Sequence, residues 1–373
     1  MTPALSPGVI FGFASSPTLC FEIGDKLHGV KCDLFHVSPK AILAQFGFDR
    51  HQYARDLFGF GSRTNTVLYD NISELDQSFG PDVVICFTKN RYIEQRFQNR
   101  VLFWEMSPLP RINSTYSFFM DPLGHQVNTI PNIHADRIED LPLSARDEAT
   151  IDGIWKNKIE ASLVAHPLTR PVTEWLSSTS ATGRIALLAL QPPDWLTYEA
   201  AWHQSAVDQM IMQCASEFPP GWTVVPIFHP SQHTLESLNK SIENEFHNVR
   251  FPPVELCTGK SEIFLPYIDA VVSISSSLSI QGVLHGKKSI TLGASQFSAF
   301  TTGAIADIDE IAAPSASTRT RLLAFLSNRY AHPFTLCFHE PGYVAQMVGD
   351  LAGNVEAFFD LSNWKARNLE ILL

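Results

Sequence analysis

Short apolar runs alternate with amphipathic stretches from the start of the chain. VIFGFA (9–14), CDLFHV (32–37), TVLY (66–69), DVVICF (82–87) and RVLFWE (100–105) are compact apolar segments bounded by polar residues and turn formers. Runs of that length read as strands buried on both faces. Between them, AILAQFGFDRHQYARDLF (41–58) carries apolar residues at helical spacing, and a polar helical stretch runs from Arg91 to Gln98. Strand–helix–strand alternation predicts a mostly parallel sheet covered by helices. After Glu105 the pattern becomes irregular: Pro108, Pro110, Pro122 and Pro131 punctuate it, SFFMDPLGH reads as a strand and turn, and IDGIWKNKIEASLV is partly helical. The Ser/Thr/Gly run SSTSATG (177–183) is the best linker candidate.

The second half repeats the alternation more cleanly. RIALLALQ (184–191), WTVVPIFHP (222–230), a short NVRF, DAVVSIS (269–275) and KKSITLG (287–293) read as strands. The stretches 198–218, 234–246, 277–286, 316–328 and 342–360 read as helices, with another near SEIFLPYI. This is a doubly wound, Rossmann-like pattern. It lacks the GxGxxG that a dinucleotide site would place after the first strand.

At 373 residues and 45% hydrophobic composition, the chain suits two α/β domains of roughly 150 to 190 residues with a cleft between them. The expected division is 1–180 and 181–373, with the option that the last helix packs back on the N-terminal domain. A formal net charge of -11 disfavours nucleic acid and anionic lipid as partners of the surface as a whole. The six cysteines (Cys20, Cys32, Cys86, Cys214, Cys257, Cys337) form no CxxC pair and have no His at zinc spacing, so buried thiols of a reducing compartment are expected. The N-terminus has no basic region ahead of its apolar stretch, and no run of about 18 apolar residues occurs. A cytoplasmic protein is expected, with peripheral docking on a membrane left open.

Ligands of open parallel sheets bind beyond the carboxyl ends of the strands. In the second half those ends carry Gln191-Pro192-Pro193-Asp194, His229-Pro230 and Ser275-Ser276-Ser277. Serines at a helix N-terminus offer N–H groups, hydroxyls and the positive dipole end to a phosphate; they equally serve as plain helix caps. His229 reads either as a cation-capable leaving-group stabiliser or as a solvated strand-end histidine. Asp194, stiffened by two prolines, could act as nucleophile or base, or simply occupy a Pro-rich turn. In the first half Glu105 closes RVLFWE. Its apolar neighbours Phe103, Trp104 and Met106 could raise its pKa for acid–base work, against the simpler reading of a solvated carboxylate. Ser15, Ser16 and Glu22 are weaker acceptor-side candidates, whereas Asp269, Asp307 and Asp309 sit in structural contexts.

The ordered set QPPxD, HP, SSS and LHGKKSITLG, spanning Gly183 to Gly293, resembles the bacterial β-Kdo transferases of capsule and lipopolysaccharide assembly, which are related in architecture to bacterial sialyltransferases. FWEMSPLP and SFFMDPLG are similar to the segment where that family carries Glu-Asp-Gly and then a strand and turn. Here Glu105 precedes Met106 and Ser107 instead. The resemblance implies a GT-B-like fold of two Rossmann-like domains, acceptor side N-terminal and nucleotide-sugar side C-terminal. It implies CMP-Kdo as donor, a glycan or lipid-linked glycan as acceptor, and no metal or other cofactor. Asp194 would be the nucleophile of a retaining reaction and Glu105 the acid or base. Gln191, His229, Pro230, Lys260, Ser275, Ser276 and Ser277 would hold the donor. Inversion, as in sialyltransferases, stays open, as do another nucleotide-sugar transferase or epimerase of the same architecture and a non-catalytic glycan-binding protein.

Overall fold

The structure, a computed structural model, describes residues 8–12, 32–36, 84–87, 91–98, 100–179, 183–192, 207–229, 236–257, 261–301, 303–333, 335, 336, 343, 347, 350, 351 and 354–373. The chain folds into two compact units. The first comprises Met1–Ser107, Tyr116–His134 and Phe325–Leu372; the second comprises Pro108–Thr115, Ala135–Ala324 and Leu373.

The first unit is built on a six-stranded sheet. Its strands are β1 (Gly8–Gly12), β2 (Cys32–His36), β3 (Val84–Phe87), β4 (Val101–Met106), β5 (Ser117–Asp121) and, late in the chain, β10 (Ala331–Pro333). They lie in the order β10-β5-β4-β3-β1-β2. The strands β2, β1, β3 and β4 are mutually parallel, while β5 runs antiparallel to β4 and β10 antiparallel to β5. All five residues of β5 are buried. Phe119 stacks on Tyr330 with ring centroids 5.0 Å apart, which ties the late segment to the early sheet.

The second unit carries a four-stranded, wholly parallel sheet of β6 (Arg184–Ala189), β7 (Trp222–Ile227), β8 (Ala270–Ser273) and β9 (Lys288–Thr291), in the order β7-β6-β8-β9. Its strands read as continuous apolar runs because they feed two cores. Ala186, Leu188 and Leu190, with Val224, Ala270, Val272 and Ile290, face one core. Leu187 and Ala189, with Val225, Ile227 and Val271, face the other. The two-residue period of a strand sends alternate side chains to opposite faces, and helices cover both. Helix Val207–Glu217 buries Met210, Ile211, Cys214 and Ala215, a helical stripe, in the first core. Helix Leu278–Leu284 is buried throughout. At Gly282 a Cβ would fall 2.9 Å from Val271 Cγ2 and collide with Ser289 Oγ, so only glycine lets this helix lie so close to β8 and β9.

Several segments depart from the sequence pattern. NVRF forms no strand, only an isolated bridge from Val249 to Val224. The stretch 135–178, which the pattern places with the N-terminal domain, packs in the second unit. Helix Thr169–Ser178 explains this: Val172 is buried in the second core, with Leu168, Trp175 and Leu176 packed against it. The linker candidate 177–183 begins inside that helix, and 180–182 lie outside the described residues. The apolar pattern gives no sign of β10, and Phe325–Leu372 belongs to the first unit.

Candidate functional site

In the second unit the chain runs from β6 outward to β7 on one side, then returns to place β8 on the other. The carboxyl ends of β6 and β8 therefore flank a topological switch point, the place where open parallel sheets bind ligands. Gln191 leaves the end of β6 and Ser275 the end of β8, and the two are bonded to each other. Gln191 Oε1 accepts the Ser275 N–H at 2.7 Å, and Gln191 Nε2 donates to Ser275 Oγ at 3.1 Å. Gln191 is 6% exposed, so this clamp is part of the fold as well as a wall of the crevice.

The serines divide their work. Ser276 Oγ accepts the Leu278 N–H at 3.2 Å, and the Ser276 N–H donates to Ser273 Oγ at 3.1 Å. Buried Ser273 and Ser279 share a 2.7 Å hydroxyl pair beneath them. Ser277 occupies the N-cap position yet makes no side-chain cap bond. Capping thus falls to Ser276, and the Ser277 side chain takes no part in it.

His229 comes after β7, half-buried. Burial first, and then the Arg111 guanidinium, hold its imidazole below the ordinary histidine range. A fixed positive charge, the Arg111 guanidinium, therefore lies near His229. Arg111 lies in the Pro108–Thr115 stretch of the second unit. Its backbone N–H donates to both Glu262 carboxylate oxygens, at 3.0 and 3.1 Å. Burial raises the Glu262 carboxyl, while the Arg111 N–H and the Gln281 side-chain amide pull it back. Arg111, Glu262 and Gln281 escape the sequence reading; the cue is an Arg ending a Pro-Leu-Pro run soon after a strand.

In the first unit Glu105 stands near the end of β4, 23% exposed at its side chain. Phe103 and Trp104 are buried in the core; the group that meets the carboxylate is a histidine. His125 Nε2 lies 3.3 Å from Glu105 Oε2, and the His125 side chain is fully buried. Glu105 Oε1 also accepts the Met106 N–H at 3.1 Å.

The turn that presents His125 is held by Asp121. Its carboxylate accepts N–H groups from Leu123 (2.8 Å), Gly124 (3.3 Å) and Ile130 (2.7 Å) and the Tyr330 hydroxyl (2.9 Å). Burial nevertheless pushes the Asp121 carboxyl up to about 7, against the pull of those donors. Gln126 adopts φ 56°, and Thr129 Oγ1 and Asn132 Nδ2 donate to its carbonyl at 2.9 and 2.8 Å. A non-glycine residue in that region is strained, and such strain persists only where surrounding bonds over-determine it.

Asp194, Pro230, Lys260, Ser15, Ser16 and Glu22 lie outside the described residues. Asp269 accepts the Ile185 N–H at 2.8 Å, and Asp309 accepts from Trp222 Nε1 and Arg184, both at 2.8 Å; both are structural, as expected. Cys214 and Cys257 are free and buried, and burial pushes their thiols up to about 12 and about 11. Among the described residues no group of three or more His, Cys, Asp or Glu could hold a metal ion, and no helix is long and apolar enough to cross a membrane.

No protein-family model and no curated protein matches the sequence. Among solved structures the chain is similar to the β-Kdo 2,7 transferase of Thermosulfurimonas dismutans KpsC, with TM-score 0.47 and 10% identity over 85% of this chain and 89% of that one. It is also similar to the β-Kdo 2,4 transferase of the same KpsC, with TM-score 0.40 and 12% identity over 84% and 89%. A third similar structure is the UDP-GlcNAc 2-epimerase of Neisseria meningitidis, with TM-score 0.32 and 10% identity over 94% and 97%.

Proposed function

We propose that this chain is a GT-B-like glycosyltransferase that binds a CMP-activated acidic sugar, Kdo, at the switch point of its second unit and transfers it to a glycan acceptor. The observation that carries the reading is the Gln191–Ser275 clamp. It sits at the crevice where a parallel sheet accepts ligands, and it joins the first and last members of the QPPxD, HP, SSS set. Arg111 and the serine turn supply positive charge, hydroxyls and N–H groups suited to the phosphate that leaves with CMP. His229, held below the ordinary histidine range by burial and by Arg111, gains affinity for a proton as an anion arrives beside it.

Asp194 comes three residues after Gln191, and in this reading it attacks the anomeric carbon to give a glycosyl-enzyme ester as CMP departs. Splitting the displacement in this way yields retention. Glu105, paired with His125, takes the acid–base role toward the acceptor hydroxyl. No metal or other cofactor enters the reading, and the protein works in the cytoplasm at the membrane face where a lipid-linked acceptor would be met.

Thermal stabilisation separates the donors, because a ligand that binds only the folded state raises its apparent stability. CMP is expected to stabilise the protein, and UDP and GDP are not; stabilisation by UDP alone would sink the Kdo reading. Asp194→Asn should keep CMP binding and lose transfer. Mass spectrometry after incubation with CMP-Kdo should find the sugar on the peptide that contains Asp194, whereas inverted product without an adduct would assign the sialyltransferase-like route.

A further inference from the structure

Arg111 belongs to the second unit through the stretch Pro108–Thr115, although its chain neighbours Ser107 and Tyr116 are part of the first. Contacts, not chain connection, therefore set its place there. Ile112 packs against the core that Leu187, Val225 and Val271 share with Phe264. Asn113 Nδ2 donates to the carbonyls of Lys158 and Leu373, both at 2.8 Å. The Arg111 carbonyl accepts the Ser114 N–H at 2.9 Å, closing a tight turn in which Ser114 takes φ 57°. A non-glycine residue is uncommon in that region and is kept there by its surroundings.

The other main-chain group of Arg111, its N–H, is bonded to Glu262. That residue is half-buried and lies in the short helical segment Ser261–Tyr267, just ahead of β8. Both of its carboxylate oxygens accept the one N–H, at 3.0 and 3.1 Å. Gln281, on the helix that follows the serine turn, bonds the same carboxylate with its side chain. A carboxylate withdrawn from water is costly unless hydrogen bonds replace its hydration. Here the replacement is a grip on the main chain of one exposed residue. The residue gripped is the one whose cation bears on His229. Its two main-chain groups are both fixed, and with them the point from which its side chain sets out.

We propose that Glu262 is a positioning residue: by holding the Arg111 main chain, and being held in turn by Gln281, it keeps the Arg111 guanidinium beside His229 after the end of β7. The use of that charge for an anionic donor rests on the function proposed above; its placement does not. The competing role for Glu262 is a plain anchor that stabilises the connection and nothing more. The two roles differ in sign at His229. Loss of a neighbouring negative charge lowers the proton affinity of a histidine, whereas release of a neighbouring Arg raises it.

The test is an NMR pH titration of the full chain, labelled at histidine and free of nucleotide, with His229→Gln to assign the His229 signal among 13 histidines. Arg111→Met is expected to raise the His229 midpoint by about 0.5 pH unit, the reach of a solvent-screened charge several ångströms away. Glu262→Met, which keeps the length and offers no acceptor, should raise it equally, and the double variant should go no higher. Glu262→Gln keeps an acceptor for the Arg111 N–H and should give no rise. A midpoint that falls or stays put in Glu262→Met, or climbs further in the double variant, overturns the proposal. Should Glu262→Met fail to fold, Asn113→Ala, at an exposed point of the same connection, takes its place with the same two outcomes. CMP titrations keep the donor reading separate: Arg111→Met and Glu262→Met should each weaken CMP about tenfold, as loss of one charge-assisted contact does. If the wild type does not bind CMP while Glu262→Met raises His229, the donor reading fails and the positioning stands. If CMP binds the wild type and Glu262→Met alike and the midpoint does not move, the positioning fails and the donor reading stands.

Discussion

The two sheets order their four parallel strands in the same way, β2-β1-β3-β4 in the first unit and β7-β6-β8-β9 in the second, yet they place polar chemistry differently. In the second unit a neutral amide–serine pair spans the switch point. In the first, an ionisable pair, Glu105 and His125, stands at an outer parallel strand where β5 turns back antiparallel. A neutral clamp can shape a crevice and orient a ligand at any pH. A carboxylate touching a buried imidazole can move a proton. In the proposed function the same topology thus serves as a binding edge in one unit and an acid–base edge in the other, and the difference lies in the residues at the carboxyl ends of the strands.

The largest test of that division is Glu105→Gln. The substitution keeps the shape and a hydrogen-bonding side chain but removes the titrating group, so turnover should fall by about 10²–10⁴-fold, the usual reach of acid–base catalysis. CMP affinity should stay unchanged. Gln191→Ala should do the reverse, weakening CMP binding and destabilising the fold by about 1–3 kcal/mol, because it strips the Ser275 N–H of its acceptor. Steady-state kinetics beside calorimetric CMP titrations would read both. If Glu105→Gln weakens CMP as much as Gln191→Ala does, the two edges do not have separate tasks.

The units should also differ in the sign of their response to acid. Asp121 in the first unit titrates at about 7 when folded, against an ordinary 3.8, so near pH 5 the folded state holds a proton that the unfolded chain has released. That contribution is full below about 4 and is lost as pH rises through 7. His285 in the second unit packs half-buried against Trp155, with ring centroids 5.0 Å apart, and loss of hydration takes it from 6.5 down to about 3. Its contribution is present above 6.5 and is lost as pH falls toward 3. From pH 7 to pH 5 each amounts to about 2 kcal/mol, at 1.36 kcal/mol per unit. Asp121→Asn should therefore make acidification more damaging, and His285→Phe should make it less so, in urea unfolding at the two pH values. Shifts of the same sign would break the contrast.

Much of the second unit is legible in the sequence for a physical reason: β6 and β8 face two cores, so their apolar runs are unbroken, and the residues after them fall at the ligand-binding edge of the sheet. The sequence pattern places Gln191 after β6, His229 after β7 and Ser275 after β8 in this way. The NVRF strand fails because Val249 makes one bridge and then the chain leaves. β10 escapes notice because Ala-His-Pro has no strand pattern; it is held by pairing with β5, over 200 positions away in the chain. The partner of Glu105 is illegible too. His125 reaches it only because β5 returns antiparallel, with Phe119 opposite Glu105, and because Asp121 gathers the next turn. Arg111 sits in a proline-rich connection whose membership of the second unit no local pattern declares.

The finest distinction lies within the serine turn, where capping and ligand binding are alternative readings of the same residues. The hydrogen bonds give the cap to one hydroxyl: Ser276 Oγ holds the Leu278 N–H, and Ser277 makes no cap bond. Ser276→Ala should cost about 1 kcal/mol of stability, as loss of an N-cap hydroxyl does. Ser277→Ala should change stability by less than about 0.5 kcal/mol, the usual range for a substitution that removes no buried contact, while weakening CMP several-fold. Denaturant unfolding and CMP titration of the two variants decide between the readings. If Ser277→Ala leaves CMP affinity untouched, the turn is a helix start and nothing more, and the phosphate must be held by Arg111 and backbone N–H groups alone.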